Sequence, residues 1–293
     1  MEIAVISGKG GTGKSSISAA FATLSEKVVL ADCDVDAANL YILFNPTHEE
    51  ERIFVSGQKA VIDYKKCRNC GSCLDSCRFG AISLSDGEIV ISDILCDGCK
   101  LCSRICPFEA INMVNEDKSR MYAGSFRNGK MVYGRLSPGE ENSGKLVNMV
   151  RNKAKQLSKD HQLETIIIDG PPGIGCAAIS TITGVDHVVI VTEPTISGLH
   201  DMKRALEITS NFKLKTWVIV NKFDLNTDLT HQIESYCQQK DILIVGKFPF
   251  DRLVVDAMVN CKSVIEFAPD SEVAKMIRES YSAITHIDSK QIH

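Results

Sequence analysis

The feature that most constrains this chain is a glycine-rich turn near its start. Residues 8–15 read Gly-x4-Gly-Lys-Ser, between an apolar stretch at 3–6 and a helical stretch at 14–25. In that context the glycines let successive backbone N–H groups point at phosphate oxygens, and the helix adds its positive N-terminal dipole. Residues 27–32 read as a second strand. The sequence therefore predicts a nucleotide site in a βαβ unit of a parallel sheet.

The same alternation of strands and helices returns late in the chain. Four further strands are predicted, at 166–169, 187–191, 216–220 and 242–246. Four helices are predicted with them, at 143–159, 198–210, 227–240 and 271–284. The strands are continuous apolar runs, which is typical of a parallel sheet covered on both faces. The fold class predicted is a three-layer α/β P-loop NTPase with a mostly parallel sheet.

A cysteine-rich segment interrupts this pattern between residues 61 and 112. Eight of the twelve cysteines lie there, in the run Cys67-x2-Cys70-x2-Cys73-x3-Cys77 and its repeat, Cys96-x2-Cys99-x2-Cys102-x3-Cys106. This is the ligand spacing of bacterial two-cluster ferredoxins, in which the fourth cysteine of each run serves the other cluster. One [4Fe–4S] cluster is thus assigned to Cys67, Cys70, Cys73 and Cys106, and the second to Cys96, Cys99, Cys102 and Cys77. Zinc is the competing metal, although structural zinc sites usually draw on two separated ligand pairs.

The repeat marks a small α+β insertion on the connection after the second strand. We predict a bacterial-type ferredoxin domain at 56–112 and a discontinuous ATPase domain at 1–55 and 113–293. Residues 113–160 are predicted to lead back through a polar loop and a basic helix. Pro107 follows the second cysteine run, whereas Arg78 stands at the equivalent position of the first.

The loop with its additional lysine, Lys9-Gly-Gly-Thr-Gly-Lys14-Ser15, resembles the deviant Walker A motif of the MinD/ParA/nitrogenase iron-protein group of ATPases. The resemblance implies that Lys14 contacts the β- and γ-phosphates and that Ser15 ligates Mg²⁺. It also implies that Lys9 crosses a dimer interface to the partner's nucleotide; the alternative is a solvent-facing lysine. The nucleotide-binding residues expected in this segment are Gly8, Lys9, Gly10, Gly11, Thr12, Gly13, Lys14, Ser15 and Ser16.

Other motifs of that group follow in order. Residues 32–40 resemble switch I, where Asp34 matches the residue that orients the attacking water and Asp32 is expected to support Mg²⁺. Asp36 is a second candidate, or simply a strand-end cap. Residues 169–173 resemble the Walker B and switch II segment, in which Asp169 holds Mg²⁺ through water. Residues further along resemble the adenine side of the site, with Asn221, Lys222 and Pro249 expected there, unless residues 221–224 form only a turn.

Cys176 lies just after the switch II segment, near the position at which the nitrogenase iron protein carries a bridging cluster. The expectation for this residue is nevertheless a buried structural cysteine.

The combination predicts an ATPase, converting ATP and water to ADP and phosphate, with Mg²⁺ and two [4Fe–4S] clusters as cofactors. Lys9, Lys14, Asp34 and Asp169 are the expected catalytic residues. Three functions compete: ATP-dependent electron transfer, assembly or insertion of an Fe–S or other metal cofactor, and MinD-like positioning. The positioning function requires a membrane-binding C-terminal helix, but the sequence of 273–284 favours core packing.

Expected partners are a second copy of the chain, or a similar ATPase in a heterodimer, and a redox or metal-cofactor protein. The net charge of −4 gives no general reason to expect nucleic acid. No apolar stretch approaches the roughly 20 residues of a membrane span. We therefore expect a cytoplasmic protein without stable membrane association.

Overall fold

The computed structural model describes residues 1–138, 140 and 143–286. In chain order its strands are β1 (Glu2–Ser7), β2 (Val28–Asp32), β3 (Glu50–Phe54), β4 (Gln58–Ile62), β5 (Ile82–Ser85), β6 (Glu88–Ile91), β7 (Ile111–Asn115), β8 (Ser119–Phe126), β9 (Gly129–Arg135), β10 (Thr165–Pro172), β11 (His187–Thr192), β12 (Lys215–Asn221) and β13 (Leu243–Phe248). Its helices are α1 (Lys14–Leu24), α2 (Leu40–Phe44), α3 (Ser72–Ser76), α4 (Leu101–Ile105), α5 (Ser143–Asp160), α6 (Cys176–Ile182), α7 (Ile196–Asn211), α8 (Thr227–Gln239), α9 (Arg252–Val259), α10 (Val264–Phe267) and α11 (Glu272–His286).

One large sheet organises the first and last parts of the chain. Its strand order is β13-β12-β11-β1-β10-β2-β9-β8-β3. The pairs from β13 through β9 are all parallel. The P-loop strand β1 lies between β10 and β11, so the carboxyl ends of these strands meet at one edge, where ligands bind in open α/β sheets.

Both faces of the central strands of this sheet are buried. Alternate residues such as Ile3, Val5 and Leu30 join a core with α1, α10 and α11. The intervening residues, such as Ala4 and Val29, are fully buried as well, on the side where α5 and α6 pack against β1, β2 and β10. A strand buried on both faces does not alternate between polar and apolar residues, and this explains the continuous apolar runs in the sequence. The predicted α/β fold with a large, mostly parallel sheet is confirmed.

The region after the cysteine repeat differs from the prediction. The segment predicted to lead back through a polar loop contains β8 and β9, which extend the large sheet beside β2. Much of β8 is polar, but Ser119, Met121 and Ala123 are buried at alternate positions near its start, and Phe126 is buried at its end. This half-buried alternation is weaker than the apolar runs of the central strands.

The described residues form two compact units. The larger comprises Met1–Glu51, Met121–Gly134 and the described residues from Ser143 onward. The smaller comprises Arg52–Arg120 and the described part of the segment that begins at Arg135. All of 56–112 lies within the smaller unit, while its assignment as a ferredoxin domain remains a prediction.

The smaller unit is built from two short antiparallel ribbons and two one-turn helices. Strand β4 pairs with β7, from Gln58 opposite Asn115 to Ile62 opposite Ile111. Strand β5 pairs with β6. Between the ribbons lies a small apolar core of Ala60, Ile62, Ile82, Ile89 and Ile111, against which six of the eight clustered cysteines pack.

The last described helix, α11, packs its apolar side into the larger unit. Val273, Ala274, Ile277 and Ile284 are buried in the same core as α1. This confirms the core packing predicted for this segment. Within the described ranges, no helix is both long and apolar enough to cross a membrane.

Candidate functional site

The loop between β1 and α1 has the backbone geometry of a phosphate cradle. Gly11 and Gly13 have φ angles of +81° and +91°, in the left-handed region. A Cβ on Gly13 would lie 2.3 Å from the Nδ2 atom of Asn221. Thr12 Oγ1 is buried and, among the described residues, has no hydrogen-bond partner. An unpaired buried hydroxyl in such a loop fits an added phosphate oxygen. Three other predicted binding residues lie in this loop or on the first turn of α1: Gly8, Gly10 and Ser16.

The carboxylate of Asp169 lies at the centre of the site and is fully buried on β10. Its Oδ2 atom accepts hydrogen bonds from Lys14 Nζ at 2.9 Å and from Ser15 Oγ at 2.8 Å. Its Oδ1 atom accepts one from Ser18 Oγ at 2.6 Å. The structure therefore brings together Lys14, Ser15 and Asp169, three of the residues predicted to contact phosphates or Mg²⁺.

The two predicted acidic residues after β2 have different contacts. Asp34 places Oδ2 3.6 Å from Lys14 Nζ, facing the centre of the site. Asp32 accepts hydrogen bonds from the backbone N–H groups of Asp34, Asn39 and Leu40, at 3.1–3.2 Å. Asp32 thus shapes the switch loop and the start of α2. Asp36 is exposed.

The electrostatics of this cluster follow from its burial. Burial alone would lower the pKa of Lys14, but Asp169 and Asp34 outweigh this and raise it, so Lys14 is a firmly held cation. Burial, reinforced by Asp169 and opposed by Lys14, raises the pKa of Asp32 to about 7. The pKa of Asp34 is also raised by burial, with Lys14 acting against it. The chain thus concentrates acidic groups around one lysine.

Lys9 is bound within its own chain. Its Nζ atom lies 2.7 Å from Glu193 Oε1 and donates to the hydroxyls of Thr195 and Ser197 at 3.0 and 3.1 Å. Glu193 Oε2 is also 3.0 Å from Lys222 Nζ, which donates to the carbonyl of Gly11 at 2.8 Å. We call this arrangement the Glu193 bridge. It places Lys9 beside the loop, and Lys9 is not a freely solvated lysine.

Two of the residues predicted for the adenine side, Asn221 and Lys222, contact the loop backbone. Asn221 Nδ2 donates to the carbonyl of Thr12 at 2.8 Å. Asp224 accepts from the N–H of Phe250 at 2.7 Å, which ties the end of β12 to the segment after β13. Pro249 lies on this segment and is half-buried. Asn221 and Pro249 therefore lie on two segments that are joined to each other, as a base-side contact would require.

Four contact residues were missed in the sequence: Ser18, Glu193, Thr195 and Ser197. Ser18 lies one turn after Lys14 on α1, so helical spacing predicts that it faces the same way. Glu193 immediately follows β11, at the carboxyl edge of the sheet, and that position is the signal that could have identified it.

The eight clustered cysteines line two separate cavities in the smaller unit. Cys67, Cys70, Cys73 and Cys106 line one. Cys77, Cys96, Cys99 and Cys102 line the other. Each cavity therefore combines three cysteines of one run with the fourth of the other, as the ferredoxin spacing predicts. Among the described residues, no three His, Cys, Asp or Glu side chains converge on one point as ligands of a single ion.

The walls of these cavities fit an iron–sulfur cluster. All eight cysteines are free thiols, the donor type that such clusters use. The N–H groups of Asn69 and Ala110 donate to the sulfurs of Cys67 and Cys106 at 3.5 and 3.3 Å. Hydrogen bonds to the ligand sulfurs are among the contacts that tune a cluster's potential.

The remaining cysteines are scattered through the larger unit. Cys33 and Cys237 are buried, and burial raises both of their pKa values. Cys176 is exposed at the first residue of α6, so the expected buried role is wrong. The glycine-rich turn before it, residues 173–175, offers little side-chain surface to cover it.

Comparisons with known proteins agree with this geometry. A family model described as the CobQ/CobB/MinD/ParA nucleotide binding domain matches residues 3–264. An uncharacterized protein of Methanocaldococcus jannaschii is 35% identical, covering 97% of this chain and 96% of the relative. The septum site-determining protein MinD of Pyrococcus horikoshii, solved with Mg-ADP, covers 99% of this chain and 98% of its own at 17% identity, with a TM-score of 0.58. A protein of Rhodospirillum rubrum named "iron-sulfur protein" is 35% identical over 81 residues, covering 27% of this chain and 40% of that protein.

Proposed function

The chain belongs to the CobQ/CobB/MinD/ParA family of nucleotide-binding ATPases, and on that premise we propose that it couples its nucleotide state to electron transfer through two [4Fe–4S] clusters. The observation that carries the proposal is the sorting of eight cysteines into two four-cysteine cavities with crossed membership. A chain that holds both this unit and a P-loop ATPase has the parts needed to make electron flow depend on ATP.

We propose the following roles for the residues at the nucleotide. Lys14 leaves the carboxylate of Asp169 and binds the β- and γ-phosphate oxygens, compensating the charge that develops in the transition state. Asp34, next to Lys14, accepts a hydrogen bond from the attacking water and orients it toward the γ-phosphate. Ser15, Asp32 and Asp169 would hold Mg²⁺, which supplies charge compensation between the β- and γ-phosphates.

The partner for hydrolysis is proposed to be a second ATPase chain, either another copy or a similar protein. In this arrangement Lys9 leaves the Glu193 bridge and stabilises charge on the nucleotide of the other subunit, as an arginine finger does in trans. The bridge then acts as the resting position of Lys9 in the single chain. Formation of the dimer becomes the two-state element that ATP biases.

In the smaller unit, the two cysteine sets would each hold one cluster, which supplies reversible one-electron chemistry when bound. The chain's own residues position the thiols and exclude water from them. Apolar side chains of Ile62, Ile89 and Ile111 pack against the cysteines. Crossing of Cys77 and Cys106 between the runs makes the two halves of the unit depend on each other.

A second candidate function is delivery of an Fe–S cluster or another metal cofactor to a client protein. It is favoured by one observation: Cys70 and Cys99, one in each cavity, are exposed. Ligands at the surface are those that an accepting protein reaches first. Electron transfer remains our first proposal because six of the eight cysteines pack on a core that retains them.

Anaerobic purification followed by iron, zinc and acid-labile sulfide analysis tests the proposal first. We expect about eight iron atoms per chain, the content of two four-iron clusters. The reduced protein is then mixed with a one-electron acceptor, with and without MgATP. Electron transfer predicts nucleotide-dependent reoxidation with constant iron content, whereas delivery predicts iron lost to an apo-acceptor. Stoichiometric zinc without iron would contradict both electron transfer and delivery of an Fe–S cluster.

A further inference from the structure

The two cysteine cavities lie toward opposite ends of the β4–β7 ribbon. The chain enters this ribbon at Gln58 and leaves it at Asn115, and the backbone of Gly98 packs against Gln58 at that end. The cavity lined by Cys96, Cys99, Cys102 and Cys77 also includes Ala60. The other cavity includes Ile62 and Ile111, at the far end of the ribbon. We call the Gln58–Asn115 end of the ribbon the root end and the Ile62–Ile111 end the far end. One cavity lies at each end.

Three cations lie beside the first cysteine of the far-end cavity in the sequence, and one of them lines the cavity. Lys65, Lys66 and Arg68 flank the first cysteine of the run and are all exposed. Arg68 also lines the cavity itself. Their side chains form no ion pair with any described residue. We call these three residues the basic rim. Their charge is directed to solvent, where it can act on an approaching molecule.

The internal repeat shows that the ligand pattern does not require these charges. The residues that occupy the equivalent positions 29 residues later are Ile94, Leu95 and Asp97. Ile94 and Leu95 are 78% and 54% exposed, so this loop presents an apolar surface at the same place. Both loops carry cysteines of the same spacing. The two loops therefore differ in the residues beside their first cysteine, which are cations in the first run and apolar or acidic residues in the second.

We propose that the basic rim is the docking site of an acidic one-electron carrier protein, which exchanges electrons with this chain at the far-end cavity. The inference rests on the proposed function and adds a partner class and a place of contact. Three unpaired cations attract an acidic surface over about a Debye length and orient it before contact. Cys70, exposed on the same run, leaves one edge of the cavity open to the docked carrier.

The test measures binding and does not depend on turnover. Full-length protein with its iron content determined is titrated anaerobically with purified flavodoxin, an acidic one-electron carrier, and the flavin signal reports the complex. We expect the dissociation constant to rise by about tenfold when ionic strength increases from about 0.05 M to about 0.3 M. Basic cytochrome c should bind at least tenfold more weakly at low salt.

Charge reversal locates the contact. The triple variant K65E/K66E/R68E should weaken flavodoxin binding by about tenfold or more at low salt and abolish the salt dependence. The matched control is R78E/K100E/R104E, which makes the same charge change at exposed residues near the root-end cysteines. It should change binding by less than about threefold.

If both variants bind flavodoxin equally weakly, net charge alone attracts flavodoxin. If neither variant binds it more weakly than the wild-type protein does, the basic rim is not the contact. Either result overturns the inference. If the first variant loses iron, K65Q/K66Q replaces it, because these two side chains do not line the cavity. Protein without iron at the outset contradicts the proposed function itself. Full iron content with rim-independent binding contradicts only this inference.

Discussion

Replacing Glu193 with glutamine is expected to strengthen ATP-dependent association of two chains. The change removes the carboxylate that holds Lys9 at 2.7 Å and Lys222 at 3.0 Å while keeping the shape of the side chain. If Lys9 must leave this bridge to reach a partner's nucleotide, the energy of the bridge opposes dimerisation. Weakening the bridge therefore lowers the cost of forming the dimer.

The structure sets the size of this effect. The Lys9 and Glu193 side chains are 26% and 13% exposed, between a surface pair and a buried one. Exposed pairs contribute about 0.2–1 kcal/mol, and hydrogen bonds to charged groups about 1.5–3 kcal/mol. Glutamine retains one acceptor, so we expect a loss of about 1 kcal/mol per lysine. Two lysines move in a symmetric dimer, which corresponds to roughly thirtyfold tighter association.

Sedimentation velocity with Mg²⁺ and a non-hydrolysable ATP analogue measures this association. The matched control is E234Q, which removes a similar pair, Glu234 with Lys247 at 2.6 Å, far along the chain from the loop. Self-association of E193Q that is unchanged or weaker than that of E234Q would refute the proposed movement of Lys9.

The effect should also persist across neutral pH. Burial tends to raise the pKa of Glu193, but Lys9 and Lys222 outweigh it and lower the pKa. A lowered pKa means that the bridge is intact above the ordinary pKa of a glutamate. It is lost only as pH falls through the lowered value. The ratio between E193Q and wild-type association should therefore be the same at about pH 6.5 and about pH 8.

Three further predictions concern the loop, the clusters and the buried acid. Gly13→Ala should lower the free energy of unfolding by about 1–3 kcal/mol and abolish thermal stabilisation by nucleotide, because φ is +91° and the new Cβ would clash with Asn221. An increase in melting temperature with ADP as large as in the wild-type protein would contradict this prediction. Cys106→Ser should reduce iron by about half or more and lower the smaller unit's resistance to protease, whereas Cys261→Ser, an exposed control, should leave about eight irons. In nucleotide-free protein, the raised pKa of Asp32 stabilises the folded state at pH values below the ordinary pKa of an aspartate, and this stabilisation is lost as pH rises through about 7. The free energy of unfolding measured in urea should therefore fall over this pH range, and the fall should be smaller in D32N.

The central fold could be predicted because burial on both faces leaves its mark in the sequence. The strands containing Ile3, Ile167 and Val189 have no polar interruption, and a strand that lies between helix layers needs none. The outer strand β8 lacks that mark, whereas β9 carries it only in the short buried run Met131, Val132 and Tyr133. Near the start of β8 only every second residue is buried in the core. The polar residues between those positions make the sequence resemble a loop.

The candidate site was predictable where a motif carries the chemistry and not where a contact depends on tertiary packing. Lys14 and Asp169 are far apart in sequence, but each belongs to a motif at the carboxyl end of a parallel strand, so both lie at the same edge of the sheet. The cysteine spacing predicted the membership of both cavities. The Glu193 bridge was not visible, because it depends on how the turn after β11 approaches Lys9. The exposure of Cys176 at the first residue of α6 likewise depends on tertiary packing.

The hold of Asp169 on Lys14 has a consequence for which form of nucleotide the chain prefers. In the free protein, Lys14 donates a hydrogen bond to this carboxylate, and a bound phosphate would compete for the same lysine. A nucleotide arriving without a metal has to remove Lys14 and leave a fully buried acid with one cation fewer, which is costly in a medium of low polarity. A divalent ion brought with the nucleotide replaces the lost positive charge. We therefore expect competition from Asp169 to favour binding of the metal–nucleotide complex over the nucleotide without a metal.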